Sequence, residues 1–292
     1  MNWFPIALTT ALATASGDAL LKAHFSSMTP LHMAVVRAVS PLPFLLPILL
    51  LIPWPELTNE FWTTILLLLP LELSALILYM KALKSSPISL SIPFLAFTPV
   101  FIILTGWLIL GEKITPAGLA GILLTVAGAY ILNLNNSMGI LGPFMAIFKE
   151  TGSVLMLTVA LLYSITSVLG KKAVLLSNPL FFACFYFIIT GLAVLLMAFG
   201  ANFLLKNSSS TFQALKPRLE WWGVGLCQTL MVLTHMWAIS LTQAAYMIAV
   251  KRTSLLFSVF YGKFLFGEER ISERFAGTSL MVAGVAVIMI KG

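Results

Sequence analysis

The sequence predicts an all-α polytopic membrane protein, with ten transmembrane helices laid out as two inverted five-helix repeats. Three observations lead there. First, 60% of the 292 residues are hydrophobic and only 9% are charged, at a mean hydropathy of +1.01. A soluble domain needs far more polar surface to cover its core, so most side chains here meet lipid or other buried helices. Second, ten apolar stretches approach the ~20 residues that cross a ~30 Å hydrocarbon layer. Third, a set of lysine, proline and glycine positions recurs in the second half.

The ten stretches run over 3–22, 31–52, 61–83, 88–110, 116–134, 151–173, 180–203, 221–241, 243–266 and 274–290. Their separators carry chain breakers: Thr29-Pro30, Pro53-Trp54-Pro55, Ser85-Ser86-Pro87 and Ser177-Asn178-Pro179. Two longer loops fall at 133–150 and 206–220. Residues 3–15 end in Ala13-Thr14-Ala15, a small-residue pattern like a signal-peptidase site. No lysine or arginine precedes it and the apolar pattern continues, so it reads as a retained first span. Trp54, Trp62, Trp221 and Trp222 fall at predicted ends, where interfacial aromatics anchor a helix.

Gly111-Glu112 with Gly121 and Gly128 recurs as Gly267-Glu268 with Gly277 and Gly284, each glycine displaced by 156 residues. Lys22 and Pro30 recur as Lys171 and Pro179, displaced by 149. Two ordered matches in register with helix ends indicate duplication, with the extra seven residues in the later half, in the 206–220 loop. An odd number of helices per half makes the halves cross in opposite senses, an architecture associated with alternating access. The organisation is therefore 1–134 as the first repeat, 135–150 as a connecting loop and 151–292 as the second repeat.

Those segments resemble the drug/metabolite transporter superfamily, in particular its EamA-type members. The resemblance rests on Ala82-Leu83-Lys84 with Ser86-Pro87-Ile88-Ser89-Leu90, Pro93, Thr98-Pro99-Val100-Phe101 and Gly111-Glu112 in the first half. In the second it rests on Lys251-Arg252-Thr253-Ser254, Gly267-Glu268, Gly277 and Gly284. It implies ten helices, an inner- or plasma-membrane location, cytoplasmic termini, and secondary transport of small organic solutes, often export. The charge count points the other way on orientation: ten cations collect on the side opposite the termini and four on the termini side. By the positive-inside rule that would place the termini outside.

Asp18, Arg37, Glu72, Lys251 and Arg252 lie well inside predicted spans. Each costs roughly 2.5–3.5 kcal/mol at mid-helix on insertion scales, so they should face a cavity or one another. Glu72 sits ~16 Å into its span and Lys251 ~12 Å, at 1.5 Å per residue, reaching similar depths from opposite halves. Polar stripes run beside them. Lys251, Ser254, Ser258 and Tyr261 share one face of the ninth span, and Gln228, His235 and Thr242 one face of the eighth. Thr10, Thr14 and Asp18 line the first, and Glu72 with Tyr79 the third. We expect Lys251, Arg252, Ser254, Ser258, Tyr261, Gln228, His235, Arg37, Tyr79 and Thr14 to bind substrate, with Glu72 and Asp18 as coupling candidates.

Plainer roles stand beside these. Serine and threonine in membrane helices often bond their own backbone or a neighbouring helix. His235 could be a hydrogen-bonded interior histidine, Arg37 could pin its helix to Glu72 or a carbonyl, and Asp18 could pair with Lys22 four residues on. Glu112 and Glu268 read as charges at the first turn of the following helix, favourable with its dipole, with a gate or coupling acid as the functional alternative. The paired glycines suggest close helix packing. Pro93 and Pro99 should kink the fourth span, whereas the ninth has no proline, predicting an asymmetry between the halves.

These features favour a secondary active transporter moving a small polar organic metabolite, an amino acid or related zwitterion or anion, with export favoured. A facilitative uniporter, exchanger or channel-like permease for a nucleotide- or sugar-type solute is the alternative. An enzyme lacks support: no nucleophile–base set or phosphate cradle occurs, and the histidines at 24, 32 and 235 have no metal-ligand spacing. Cys184 and Cys227 are lone packing residues. A channel usually presents rings of identical groups, but Asp18 aligns with Ser167 and Arg37 with Tyr186. No cofactor, metal or nucleic-acid partner is expected. Expected partners are the solute, the bilayer and a coupling proton, with the chain as monomer or homodimer.

Overall fold

A computed structural model describes residues 2–85, 92–132, 151–205, 214–266 and 275–291. Among them every regular element is a helix. The first half holds α1 (Trp3–Phe25), α2 (Pro30–Val39), α3 (Leu42–Leu51), α4 (Asn59–Ser85), a 3-10 segment (Ile92–Phe97), α5 (Thr98–Leu110) and α6 (Pro116–Leu132). The second holds α7 (Thr151–Leu175), α8 (Pro179–Leu205), α9 (Leu219–Leu241), α10 (Ala244–Lys251), α11 (Ser254–Phe266) and α12 (Phe275–Lys291). The loop at 133–150, most of that at 206–220, and Ser86 to Leu90 with Gly267 and Glu268 lie outside the described residues.

Helix starts follow local chemistry. Thr29, Thr115 and Asn178 each precede a proline that opens a helix, and each side chain accepts a backbone N–H three residues on, at 3.3, 2.9 and 2.7 Å. Proline is suited to this place because its missing N–H would have no partner in the first turn anyway. Gly111 ends α5 in the left-handed region at φ 67°, where a side chain would be strained.

Among the described residues six helices are long and apolar enough to cross a membrane: Trp3–Phe25, Pro30–Leu51, Asn59–Ala82, Thr151–Leu175, Pro179–Ala201 and Leu219–Leu241. Phe94–Leu110, Pro116–Ile131 and Gly277–Ile290 are shorter apolar helices. The expected second span is broken at Ser40-Pro41, between α2 and α3.

The expected asymmetry between the fourth and ninth spans is not found. Both are interrupted, and the helices beyond the two breaks begin at Thr98 and Ser254, again 156 residues apart. In the first half Pro99 opens the new helix. The second half breaks without proline. Arg252 N–H is shared between Ile248 and Ala249 carbonyls, and Thr253 N and Leu255 N bond three residues back at 3.0 Å. The Thr253 hydroxyl also takes the Val250 carbonyl, at 2.8 Å. Tighter i to i−3 bonding replaces the α pattern at that point. Such breaks are tolerated at membrane depth where the backbone lines a cavity or is buried in protein.

Helix packing is symmetric under exchange of halves. α1 packs on α9 as α7 packs on α4, and α5 on α7 as α11 on α1, while α2 meets α8 and α6 meets α12. The α6–α12 seam shows the close packing expected of the glycines. A Cβ at Gly121 would sit 2.8 Å from the Gly284 carbonyl oxygen, and one at Gly128 2.5 Å from Met281 N. Backbones approach this closely only where no side chain intervenes.

Two sequence expectations need correction here. Trp54, Trp62 and Trp222 are exposed, but Trp221 is only 6% exposed and is no surface anchor. It stands edge-on to Trp222, packed among buried apolar residues that include Val39 and Val224. Glu112 does not serve the first turn of α6, which Thr115 caps. It accepts instead from Ala244 N, at 3.0 Å, the first residue of α10 in the other half.

Candidate functional site

Between the halves lies a cavity of about 220 Å³. α1 contributes Thr14 and Asp18, α2 Arg37, and α4 Glu72 and Tyr79. From the second half come Gln228 and His235 on α9, Lys251 at the end of α10, Arg252 at the break, and Ser254, Ser258 and Tyr261 on α11. All the residues singled out from the sequence as binding or coupling candidates therefore border one space.

Their contacts divide them. Arg37 Nη1 donates to Asp18 Oδ1. The Tyr79 hydroxyl donates to Asp18 Oδ2 at 3.0 Å, and the Arg37 guanidinium lies 5.4 Å from the Tyr79 ring centre. Asp18 is thus held on both oxygens, and Arg37 is answered by Asp18 where Glu72 had been considered. Thr14 donates to its own helix at Thr10 O, 2.7 Å. Thr10 bonds the Thr234 hydroxyl at 2.9 Å and so ties α1 to α9. Tyr261 reaches the Ser16 hydroxyl at 2.7 Å.

The second-half cations are held more loosely. Lys251 Nζ lies 3.3 Å from His235 Nδ1 and 3.8 Å from the Met231 sulfur, neither of which carries a formal negative charge on a carboxylate. Arg252 Nη2 donates to the Thr98 hydroxyl at 2.8 Å, but its Nε has no hydrogen-bond partner. Gln228 is only 3% exposed, and its Nε2 also has none. Glu72 faces the Thr166 hydroxyl, with Lys251 and Arg37 in electrostatic range, and forms none of the ion pairs among the described residues.

Sequence reasoning missed a third wall. Tyr163, Thr166 and Ser167 of α7 and Tyr186 and Thr190 of α8 also line the cavity. The repeat register carried the signal: Ser167 is the counterpart of Asp18 and Tyr186 that of Arg37, both displaced by 149 residues. Thr242, placed on the polar face of the eighth span, lies instead in a separate shallow cleft with Glu112 and Lys171. Among the described residues no group of three or more His, Cys, Asp or Glu side chains could hold a metal.

Apolar helices in two matched sets, enclosing a solute-sized cavity with charged and polar groups set in a largely apolar wall, define a multi-pass membrane protein built to handle a small solute. The chain belongs to the EamA-like transporter family, whose profile matches residues 1–134 and 150–290. It is accordingly a membrane transporter of the drug/metabolite type. A solved crystal structure resembles it at a TM-score of 0.69, over 98% of this chain and 95% of the other, with 15% identity, a likeness of fold. No curated protein matches the chain.

Proposed function

We propose that the protein is a secondary active transporter that moves a carboxylate-bearing zwitterion or anion, such as an amino acid or a derivative, by alternating access. One observation carries the substrate reading. Asp18 and Arg37 neutralise each other, leaving Lys251 and Arg252 against Glu72, with Lys22 also on the wall, so that cations outnumber acids around the cavity. Two buried donors beside them, Arg252 Nε and Gln228 Nε2, have no acceptor. A buried excess cation and unanswered donors are costly, and a substrate carboxylate relieves both. The apolar part of the wall, including Leu76, Phe182 and Val232, suits a solute with a hydrocarbon portion.

Ten spans in two inverted repeats, 1–134 and 151–292 joined by 135–150, are the architecture this reading requires. The family match over both halves, the exchange-symmetric packing and the paired breaks at Thr98 and Ser254 all support it. Glu72 is the better coupling candidate because Asp18 is engaged on both oxygens. A proton is the coupling ion and the cell membrane the location this reading favours, in the direction of export.

Purified protein in proteoliposomes tests the proposal. Saturable, counterflow-competent flux of amino acids, without single-channel conductance, is the expected result. Conductance without counterflow would make it a channel, and selective transport of a quaternary cation that carboxylates do not compete would overturn the substrate class.

A further inference from the structure

One end of the molecule is closed by polar ties that run from half to half, and none of them belongs to the cavity wall. Glu112 follows α5 of the first half, and its carboxylate accepts from Lys171 Nζ of α7 at 2.5 Å and from Ala244 N at 3.0 Å. Within the second half, Lys171 also donates to Thr242 O at 2.5 Å. Gln243 Nε2 donates to Lys113 O at 2.8 Å, and Thr115 N donates to the Tyr246 hydroxyl at 3.1 Å. Lys172 pairs with Glu60 at 2.8 Å, joining α7 to α4 at the same end.

This cluster differs in kind from the α6–α12 contact between halves. The α6–α12 seam brings backbone against backbone at Gly121, Gly128 and Gly284, with the Thr125, Met281 and Ile288 side chains packed beside them. The polar ties sit beside exposed residues: Gly111, Lys113 and Thr115 are all open to solvent. The Glu112 and Lys171 side chains are themselves only 10% exposed, so their pair is costly to break in place; water entering from this edge rehydrates the separated charges and offsets part of that cost. The cavity wall approaches them at Gly170 and Ile248 but includes none of Glu112, Lys171, Thr242 or Ala244. In the other direction it extends to Lys22 and Tyr261. Glu112 also caps α10, an eight-residue helix whose far end carries Lys251 and leads into Arg252.

We infer that Glu112 is a positioning residue and the anchor of a gate: its bonds to Lys171 and Ala244 shut this end of the cavity and hold α10, with Lys251 and Arg252, at the site. Breaking them frees α10 from the first half and admits solvent from that end. The α6–α12 seam stays fixed as the pivot. This inference rests on the alternating-access reading, but its test needs no solute.

Gly170 is the reporter position, because a Cβ there would meet only the Phe182 ring, at 3.9 Å. With Cys184 and Cys227 replaced by alanine, Gly170→Cys is labelled with a membrane-impermeant maleimide from each side of vesicles of known sidedness. Glu112→Gln is expected to raise labelling from the Glu112 end by about tenfold and to lower it from the other end, the signature of a shifted two-state equilibrium. Glu112→Asp should restore much of the original pattern. If Glu112→Gln fails to fold, Gln243→Ala carries the same test, since it removes only the Lys113 tie and no charge; a smaller rise is expected. Unchanged labelling, or an equal rise from both ends, would overturn the inference. Gating seen by labelling in a protein without counterflow would leave the gate standing and remove the transport reading.

Discussion

Arg252 of the second half donates to Thr98 of the first at 2.8 Å, and Thr98 opens α5 at the position where Ser254 opens α11. The bond therefore joins the helix break of one half to the helix break of the other. It fixes the guanidinium's terminal nitrogen, while the buried Nε has no hydrogen-bond partner. Thr98→Val keeps the shape but strands the donor. The expected cost is about 1–3 kcal/mol, the usual range for a buried group left without its partner, read as a lower melting temperature in detergent. Thr98→Ser should stay close to the parent, and an unchanged melting temperature for Thr98→Val would show that the bond contributes nothing.

Lys251 has no carboxylate within ion-pair distance among the described residues, only His235 and Met231 as close polar neighbours. Lys251→Ala should abolish transport and leave folded protein in the membrane. Lys251→Arg should retain little, because a planar fork cannot occupy the place of a compact ammonium beside His235. Normal flux in the alanine variant would reduce Lys251 to a packing role.

Asp18 and Arg37 show the opposite behaviour, since each answers the other. Removing one partner of a buried pair typically costs ~3–5 kcal/mol, whereas removing both costs much less. Asp18→Asn and Arg37→Gln should each lower yield and melting temperature strongly, and the double variant should recover much of the loss. Additive losses would mean that the two side chains are not coupled.

How much of this was legible in the sequence follows from where each constraint lies. An ionisable residue inside an apolar stretch has few places to go, so the cavity lining could be read from Glu72, Lys251 and their helical neighbours. The pairing could not. Asp18 meets Arg37 across two helices, and whether Arg37 turns to Asp18 or to Glu72 depends on helix rotation that no spacing encodes. The break at Arg252 was equally hidden, because only proline announces an interruption locally, whereas Thr253 and the shared bonds of Arg252 make one without it. Trp221 and Trp222 are adjacent and chemically alike, yet only the second faces outward. For Glu112 the local dipole argument named the right interaction with the wrong helix, since the N-terminus it caps is α10 of the opposite half.

Glu72 stands outside every ion pair among the described residues, which is why the proposed coupling role is assigned to it. Glu72→Gln keeps the shape and cannot ionise. If Glu72 couples, the variant loses gradient-driven accumulation and keeps solute exchange. Loss of both modes together with heat stability would make Glu72 structural, and full accumulation by a stable variant would rule out coupling.

The most direct measurement is counterflow in proteoliposomes across matched pairs of solutes, each amino acid against its amide. The pairs differ only in the carboxylate that the cavity's excess cation and free donors are proposed to receive. Losing a charge-assisted contact in a buried site should weaken competition by roughly tenfold or more. Competition by the acids and little by the amides is the predicted result, with the difference abolished in Lys251→Ala. Equal competition by acid and amide, or preference for the amide, would contradict it.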